Sequence, residues 1–232
     1  MKVSINKMKK NSLALLASGI FLATMAAPIY ADDSLDRGKS ISNQQLMTAI
    51  EGSFQVNNEN EWKRFSDPTL ATCNETLDKP TAQQTQEILK RERASIKLPD
   101  HGKYVGDWEQ GLIWAEATHG GRIGVEGFVD ADDASKPNGG NCYACHAIDP
   151  NFPQNGNMGP DLTNYGKIRG NSEAIQKYTY EKIFNAKAIM PCSLMPRYGH
   201  GEGHLLTAEQ IADVTAFLLD PKSPVNNPKR ED

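Results

Sequence analysis

Five consecutive residues constrain this chain more than any other stretch: Cys142-Tyr143-Ala144-Cys145-His146. Cysteines three positions apart lie on one face of a helical turn, so both thiols can reach one planar group. The histidine that follows then aims its imidazole at the centre of that group from the same side. Cys-x-x-Cys-His is the attachment pattern of covalently bound haem c. Zinc would need two further ligands, commonly a second close pair, but Cys73 and Cys192 stand far apart in the chain. His200 and His204 could supply nitrogen, yet they sit in a Gly-rich loop. A thioredoxin-like cysteine pair wants a βαβ context that the pattern lacks. The motif therefore predicts one haem c, held as thioethers by Cys142 and Cys145, with His146 as the proximal iron ligand.

The start of the chain agrees with this chemistry. Lys2, Lys7, Lys9 and Lys10 precede an apolar run from Leu13 to Ala27, and small residues lead to Ala31. That is the layout of a secretory signal peptide over residues 1–31, cleaved after Ala31 or after Ala27. A membrane anchor is the rival reading, but the run is short for a span and contains Ser18 and Gly19. Cleavage would remove four lysines and no acids, so the exported chain would be more acidic than the −4 of all 232 residues. An acidic chain argues against nucleic-acid binding, which wants a basic surface. No later segment is long and apolar enough to span a bilayer. The expected compartment is the periplasm, where bacterial haem c is attached.

The remaining chain divides by composition. Residues 32–105 are polar and weakly patterned, with helices expected from about Ser42 to Phe54 and from Thr81 to Ala94. Few large apolar residues are available there, so this extension is expected to drape over the following domain or over a partner. Residues 106–220 read as an all-α domain. Helices are expected over Asp107–Thr118, ended by Gly120-Gly121, over Asn171–Ala188 and from Thr207 to Leu219; a short helix should hold Cys142 to Ala147. Thr207 and Gln210 make a capping box, and Ile211, Val214, Phe217 and Leu218 form one stripe. Helices 107–118 and 207–219 should cross, with Gly111 admitting Phe217. Residues 221–232 are charged and Pro-rich, and read as a mobile tail.

The iron's sixth ligand must come from the later half of the chain. His/Met ligation raises a haem's potential and suits electron transfer. Met190-Pro191 and Met195-Pro196 compete for the role. Met195 is favoured by its place in a loop before the last helix, while Cys192 and a histidine stay open as alternatives. Met158-Gly159-Pro160-Asp161-Leu162 resembles the Gly-Pro-x-Leu loop of class I cytochromes c, whose proline carbonyl accepts the hydrogen bond of the proximal histidine. That places Pro160 beside His146 and Met158 on the proximal side.

From Gly106 to Val225 the chain resembles the SoxX subunit family of the SoxAX cytochromes of thiosulfate oxidation. The resemblance rests on Asn141-Cys142-Tyr143-Ala144-Cys145-His146 and on Gly159-Pro160-Asp161-Leu162-Thr163-Asn164-Tyr165-Gly166. It rests more specifically on Pro191-Cys192-Ser193-Leu194-Met195-Pro196-Arg197-Tyr198-Gly199 and on the Leu219-Asp220-Pro221 ending. It implies a class I cytochrome c domain with an N-terminal extension, and iron ligation by the residues matching His146 and Met195. It also implies partners: a SoxA-type haem subunit that holds the reacting centre, a SoxYZ-type carrier protein, and a small cytochrome or other electron acceptor. The chain would then be the electron-transfer half of a heterodimeric S-thiosulfotransferase. A self-sufficient haem enzyme oxidising thiosulfate and a free-standing electron shuttle are the competing readings; a thiolate ligand from Cys192 would favour the former.

Cys73 and Cys192 remain. In an oxidising compartment they are expected to pair, tying the extension to the loop that carries Met195, against the alternative of two free thiols. Lys167, Arg169 and Arg197 either pair with haem propionates or guide an acidic partner, or else form a solvated basic face. Trp62, Trp108 and Trp114 read as packing residues, and Tyr165 and Tyr198 as neighbours of the haem edge.

Overall fold

Every regular element is helical in the computed structural model, which describes residues 41–53, 67–118, 139–152, 155–201 and 205–227, and no strand occurs among them. The helices are α1 (Asn43–Ser53), α2 (Pro68–Glu75), α3 (Ala82–Ala94), α4 (Trp108–Glu116), α5 (Tyr165–Arg169), α6 (Glu173–Phe184) and α7 (Ala208–Leu219). Two 3₁₀ turns, Cys142–Ala144 and Ala186–Ala188, complete them. All lie in one compact unit, Gly38–Asp232. The expected signal peptide lies outside the described residues, as do Trp62, Gly120, Gly121 and His204. Among the described residues, no helix is long and apolar enough to cross a membrane.

Local chemistry explains where the helices begin. Asp67 caps α2, its carboxylate accepting the Thr69 and Leu70 amides, and Pro68 follows where a missing N–H costs nothing. Reciprocal capping boxes start α3 at Thr81/Gln84 and α7 at Thr207/Gln210. Asp107 caps α4 through the Glu109 amide.

The centre of the fold is the crossing of α4 and α7. A Cβ added at Gly111 would lie 2.0 Å from the Asp213 carbonyl oxygen and 2.8 Å from Phe217 Cβ. The expected approach to Phe217 is therefore present, and the backbone of Asp213 is closer still. Asp213 also ties the helices together by side chain, accepting the Asp107 amide at 2.8 Å and the Trp114 indole at 3.2 Å. Sequence reading gave Asp213 no role. The apolar stripe of α7 is buried, with Ile211, Val214, Phe217 and Leu218 packed beside Ala115, Tyr180 and Phe184. Trp108 and Trp114 pack against this core as expected.

Three local expectations change. The helix expected over Asn171–Ala188 is broken at Asn185, whose extended backbone separates α6 from the turn Ala186–Ala188. The short helix expected over Cys142–Ala147 is one 3₁₀ turn, Cys142–Ala144. The tail is ordered through Asn227, with Ser223, Val225 and Asn226 fully buried. Asn226 donates to the Leu218 and Asp220 carbonyls and accepts the Lys167 amide, so it closes the end of α7 onto α5. Residues 228–232 lie outside the description.

The extension does fold onto the rest of this unit. Ile88 of α3 is buried, Arg93 donates from Nε to the Ala188 carbonyl at 3.1 Å, and Tyr180 donates to the Lys97 carbonyl at 2.7 Å.

Candidate haem site

The turn Cys142–Ala144 is shaped by backbone bonds within the motif. The Cys145 and His146 amides both donate to the Cys142 carbonyl, at 3.2 and 3.0 Å. Asn141 enters the turn with a φ of 46°, and its amide donates to the Ala117 carbonyl at 3.1 Å. The preceding Gly140 amide donates to the Trp114 carbonyl, which fastens the motif to the end of α4. A Cβ at Gly140 would stand 2.9 Å from the Cys142 sulfur.

Behind the motif, the segment Gly156–Leu162 packs closely. Gly156 and Gly159 donate to the Tyr143 and Cys145 carbonyls, both at 2.7 Å. A Cβ at Gly159 would sit 2.2 Å from His146 Cε1 and 2.5 Å from Nδ1, so only glycine lets the backbone lie against this imidazole. The Pro160 carbonyl oxygen lies 2.7 Å from His146 Nδ1 and accepts its proton. That bond fixes the tautomer and leaves Nε2 as the available donor atom.

Cys142 and Cys145 are free and half-buried, while Cys73 and Cys192 are joined as a disulfide. Burial, and next the neighbouring Cys145, push the Cys142 thiol up to about 12. Tyr198 is buried beside Cys142 and donates to the Gly140 carbonyl at 2.7 Å. Burial raises its phenol well above the ordinary value. Tyr143 packs at a tilt on Phe152 with ring centroids 4.2 Å apart, and its buried hydroxyl has no hydrogen-bond partner among the described residues. Burial, then the charges of Glu116, Asp149 and Cys142, push that phenol up as well.

The methionines separate clearly. Met195 is partly buried in the same apolar cluster as Cys142, Tyr143, Trp114, Leu162 and Leu205. Met158 is 80% exposed and Met190 59%. The Met195 amide donates to the Ser193 hydroxyl at 3.2 Å.

The basic residues do not form one face. Lys167 is exposed, and Arg169 lies over the Tyr165 and Tyr178 rings, 5.7 Å from each centroid. Tyr165 itself shares a hydrogen bond with Thr179 at 3.1 Å. Arg197 is largely buried and held in ion pairs with Asp67 and Glu92, so none of the roles expected for it, propionate partner, guide for an acidic partner or solvated charge, describes its position. No local signal announces partners 105 and 130 residues away.

This donor set fits covalent haem. Two free thiols stand three residues apart, Cys142 packed against the apolar cluster, and an oriented imidazole follows them directly. The glycines at 140 and 159 keep side-chain atoms clear of Cys142 and His146. The residues able to hold the group are Cys142, Cys145, His146 and Pro160, with Met195 the best-placed methionine.

Comparison with known proteins agrees on the class. Residues 131–221 match the cytochrome c family, so this all-α unit contains a cytochrome c domain, of the type that carries haem c covalently. The matched stretch begins after α4, whereas the sequence reading began the domain at 106. An uncharacterized lipoprotein of Aquifex aeolicus (strain VF5) is 40% identical over 159 residues, covering 67% of this chain and 70% of its own. The chain belongs to the same family as that lipoprotein. Among solved structures, one titled as SoxXA from P. pantotrophus is similar over 51% of this chain and 84% of its own, with 23% identity and a TM-score of 0.35.

Proposed function

We propose that this chain is a periplasmic cytochrome c subunit that accepts electrons while thiosulfate is coupled oxidatively to a cysteine of a carrier protein. The observation that carries the reading is the contrast between two cysteine sets. Cys142 and Cys145 are free beside an oriented His146, whereas Cys192 is spent in a disulfide. A disulfide sulfur is a poor candidate for a thiolate ligand, so the chemistry of a self-sufficient thiosulfate enzyme loses its reactive group. What remains is an oriented His146 and a half-buried Met195 in the apolar cluster that also holds Cys142, a ligand pair suited to electron transfer.

Haem c, when bound, supplies a one-electron carrier that cycles between ferric and ferrous iron. The chain's own residues do the rest. Cys142 and Cys145 would hold it covalently, the Pro160 carbonyl orients and would strengthen the His146 ligand, and Met195 would supply the second iron ligand. Tyr198, Trp114 and Leu205 keep the surroundings apolar.

The substrate chemistry follows from the resemblance to SoxX, carried by Pro191 to Gly199. Joining a thiol to thiosulfate forms one sulfur–sulfur bond and releases the thiol proton and two electrons. A single haem takes one electron at a time, so the reacting centre belongs on a SoxA-type partner. The carrier would be SoxYZ-type, and a small cytochrome or other acceptor would reoxidise this chain. The signal-peptide layout supports export, and the Cys73–Cys192 disulfide supports an oxidising compartment.

The test uses the ferric holoprotein, thiosulfate, and the visible α-band of reduced haem. No reduction of the chain alone, with reduction once partner and carrier are added, is the expected result. Rapid reduction of the isolated chain would make it an enzyme in its own right.

A further inference from the structure

The segment Cys192–Arg197 is pinned at both ends by the N-terminal extension, and Met195 lies between the pins. At one end Cys192 is bonded to Cys73 of α2. At the other, Arg197 reaches two carboxylates on different elements: Asp67, the cap of α2, and Glu92 of α3 at 3.4 Å. Glu92 is only 2% exposed, and it also accepts hydrogen bonds from the Thr69 hydroxyl and from Asn185 Nδ2 at 2.8 Å. Asn185 sits at the break after α6. In the next turn the buried Lys187 donates to the Ser193 carbonyl at 2.5 Å. Ser193 in turn receives the Met195 amide through its hydroxyl.

Burying this many charges is an inefficient route to stability alone, because desolvation offsets most of the attraction. What such a network supplies is register. A planar guanidinium satisfies carboxylates on two helices from one position only. A loop fixed at 192 and at 197 leaves the residue at 195 little freedom.

We infer that α2 and α3 are the positioning device for Met195, with Arg197 and Glu92 as its positioning residues. The inference rests on Met195 being the iron ligand proposed above, and it gives the extension a role that its thin apolar face did not suggest.

The test uses the full-length ferric holoprotein and four variants: Arg197→Lys, Glu92→Gln, Met195→Leu, and Lys90→Ala on the exposed side of α3. Two quantities are read: the near-infrared sulfur-to-iron band, and the affinity for added imidazole, which competes for the methionine's position. The wild type and Lys90→Ala should show the full band. Arg197→Lys and Glu92→Gln should keep the helical circular dichroism, lose much of the band, and bind imidazole about ten-fold more tightly. Met195→Leu should lack the band entirely. If Glu92→Gln does not fold, Arg197→Lys, which keeps the charge, carries the test. A full band and unchanged imidazole affinity in the folded positioning variants overturn the inference while leaving the ligand assignment intact. A wild type without the band overturns the ligand assignment, and the inference with it.

Discussion

The Pro160 carbonyl oxygen stands 2.7 Å from His146 Nδ1, and Gly159 lies flat against the same ring. The two facts are linked, because the close approach at Gly159 is what brings the next carbonyl into reach. Gly159→Ala would put a methyl 2.2 Å from His146 Cε1, so either loop or ring must move. The bond that would be lost is worth about 0.5–1.5 kcal/mol. Without it the imidazole is a weaker donor and the ferric state loses stabilisation. A higher midpoint potential and a lower melting temperature are expected for the variant. Potentiometry giving an unchanged value would show that the Pro160 bond does not tune the site.

At the crossing of α4 and α7, Gly111→Val should lower stability by about 1–3 kcal/mol, because there is no room beside Asp213 and Phe217. Gly52 in α1 has nothing within 4 Å of its Cβ position, so Gly52→Ala should instead be neutral or raise stability by up to about 1 kcal/mol. Urea unfolding of both variants compares them directly. Equal losses at the two positions would contradict the packing described for Gly111.

The Cys73–Cys192 bond closes a loop across a sequence separation of 119 residues. In the chain-entropy model that amounts to about 4–5 kcal/mol. The double variant Cys73→Ser/Cys192→Ser should therefore unfold at much lower denaturant, with helices α2 and α3 exchanging their amide hydrogens first. A loss below about 1 kcal/mol would show that packing alone holds the extension.

Acid should weaken the fold in two stages. Burial first, and then the charge of Arg197, hold His200 below its ordinary 6.5. The unfolded chain therefore takes up a proton more readily. The contribution of neutral His200 is complete above about pH 6.5 and is lost as pH falls below it. Burial pushes Glu92 up, but hydrogen bonds from Asn185 and Thr69 and the charges of Arg197 and His200 outweigh it. The net effect is a value below 4.5. The contribution of Glu92 is present above that pH and is lost as pH falls through the depressed folded value. Urea midpoints across the acid range should show both stages in the wild type. His200→Gln should flatten the upper one and Glu92→Gln the lower. Curves parallel to the wild type would contradict these assignments.

What the sequence revealed was mostly local. Thr207 with Gln210 announced one helix start, and the stripe from Ile211 to Leu218 announced the buried face of α7. The pentapeptide at 142–146 announced the site, and glycine at 111 a close helix crossing. The missed features depend on distant groups. Asn185 breaks a helix because its amide is committed to Glu92, 93 residues earlier. Arg197 looked like a surface charge because Asp67 and Glu92 are remote in sequence. Helix α2 is a different case: Asp67-Pro68 is a cap followed by a first-turn proline, a readable signal in a stretch dismissed for its low apolar content.

The iron's sixth ligand is the claim on which electron acceptance, positioning and the role of the extension all rest. In the reduced, diamagnetic holoprotein, a methionine bound to haem iron has its methyl group over the porphyrin ring. Ring current then moves that proton resonance far upfield. With methionine methyls isotopically labelled, one such resonance is predicted in the wild type. It should persist in Met158→Leu and Met190→Leu and vanish in Met195→Leu. Its absence from the wild type, or its loss on replacing Met190, would contradict the account.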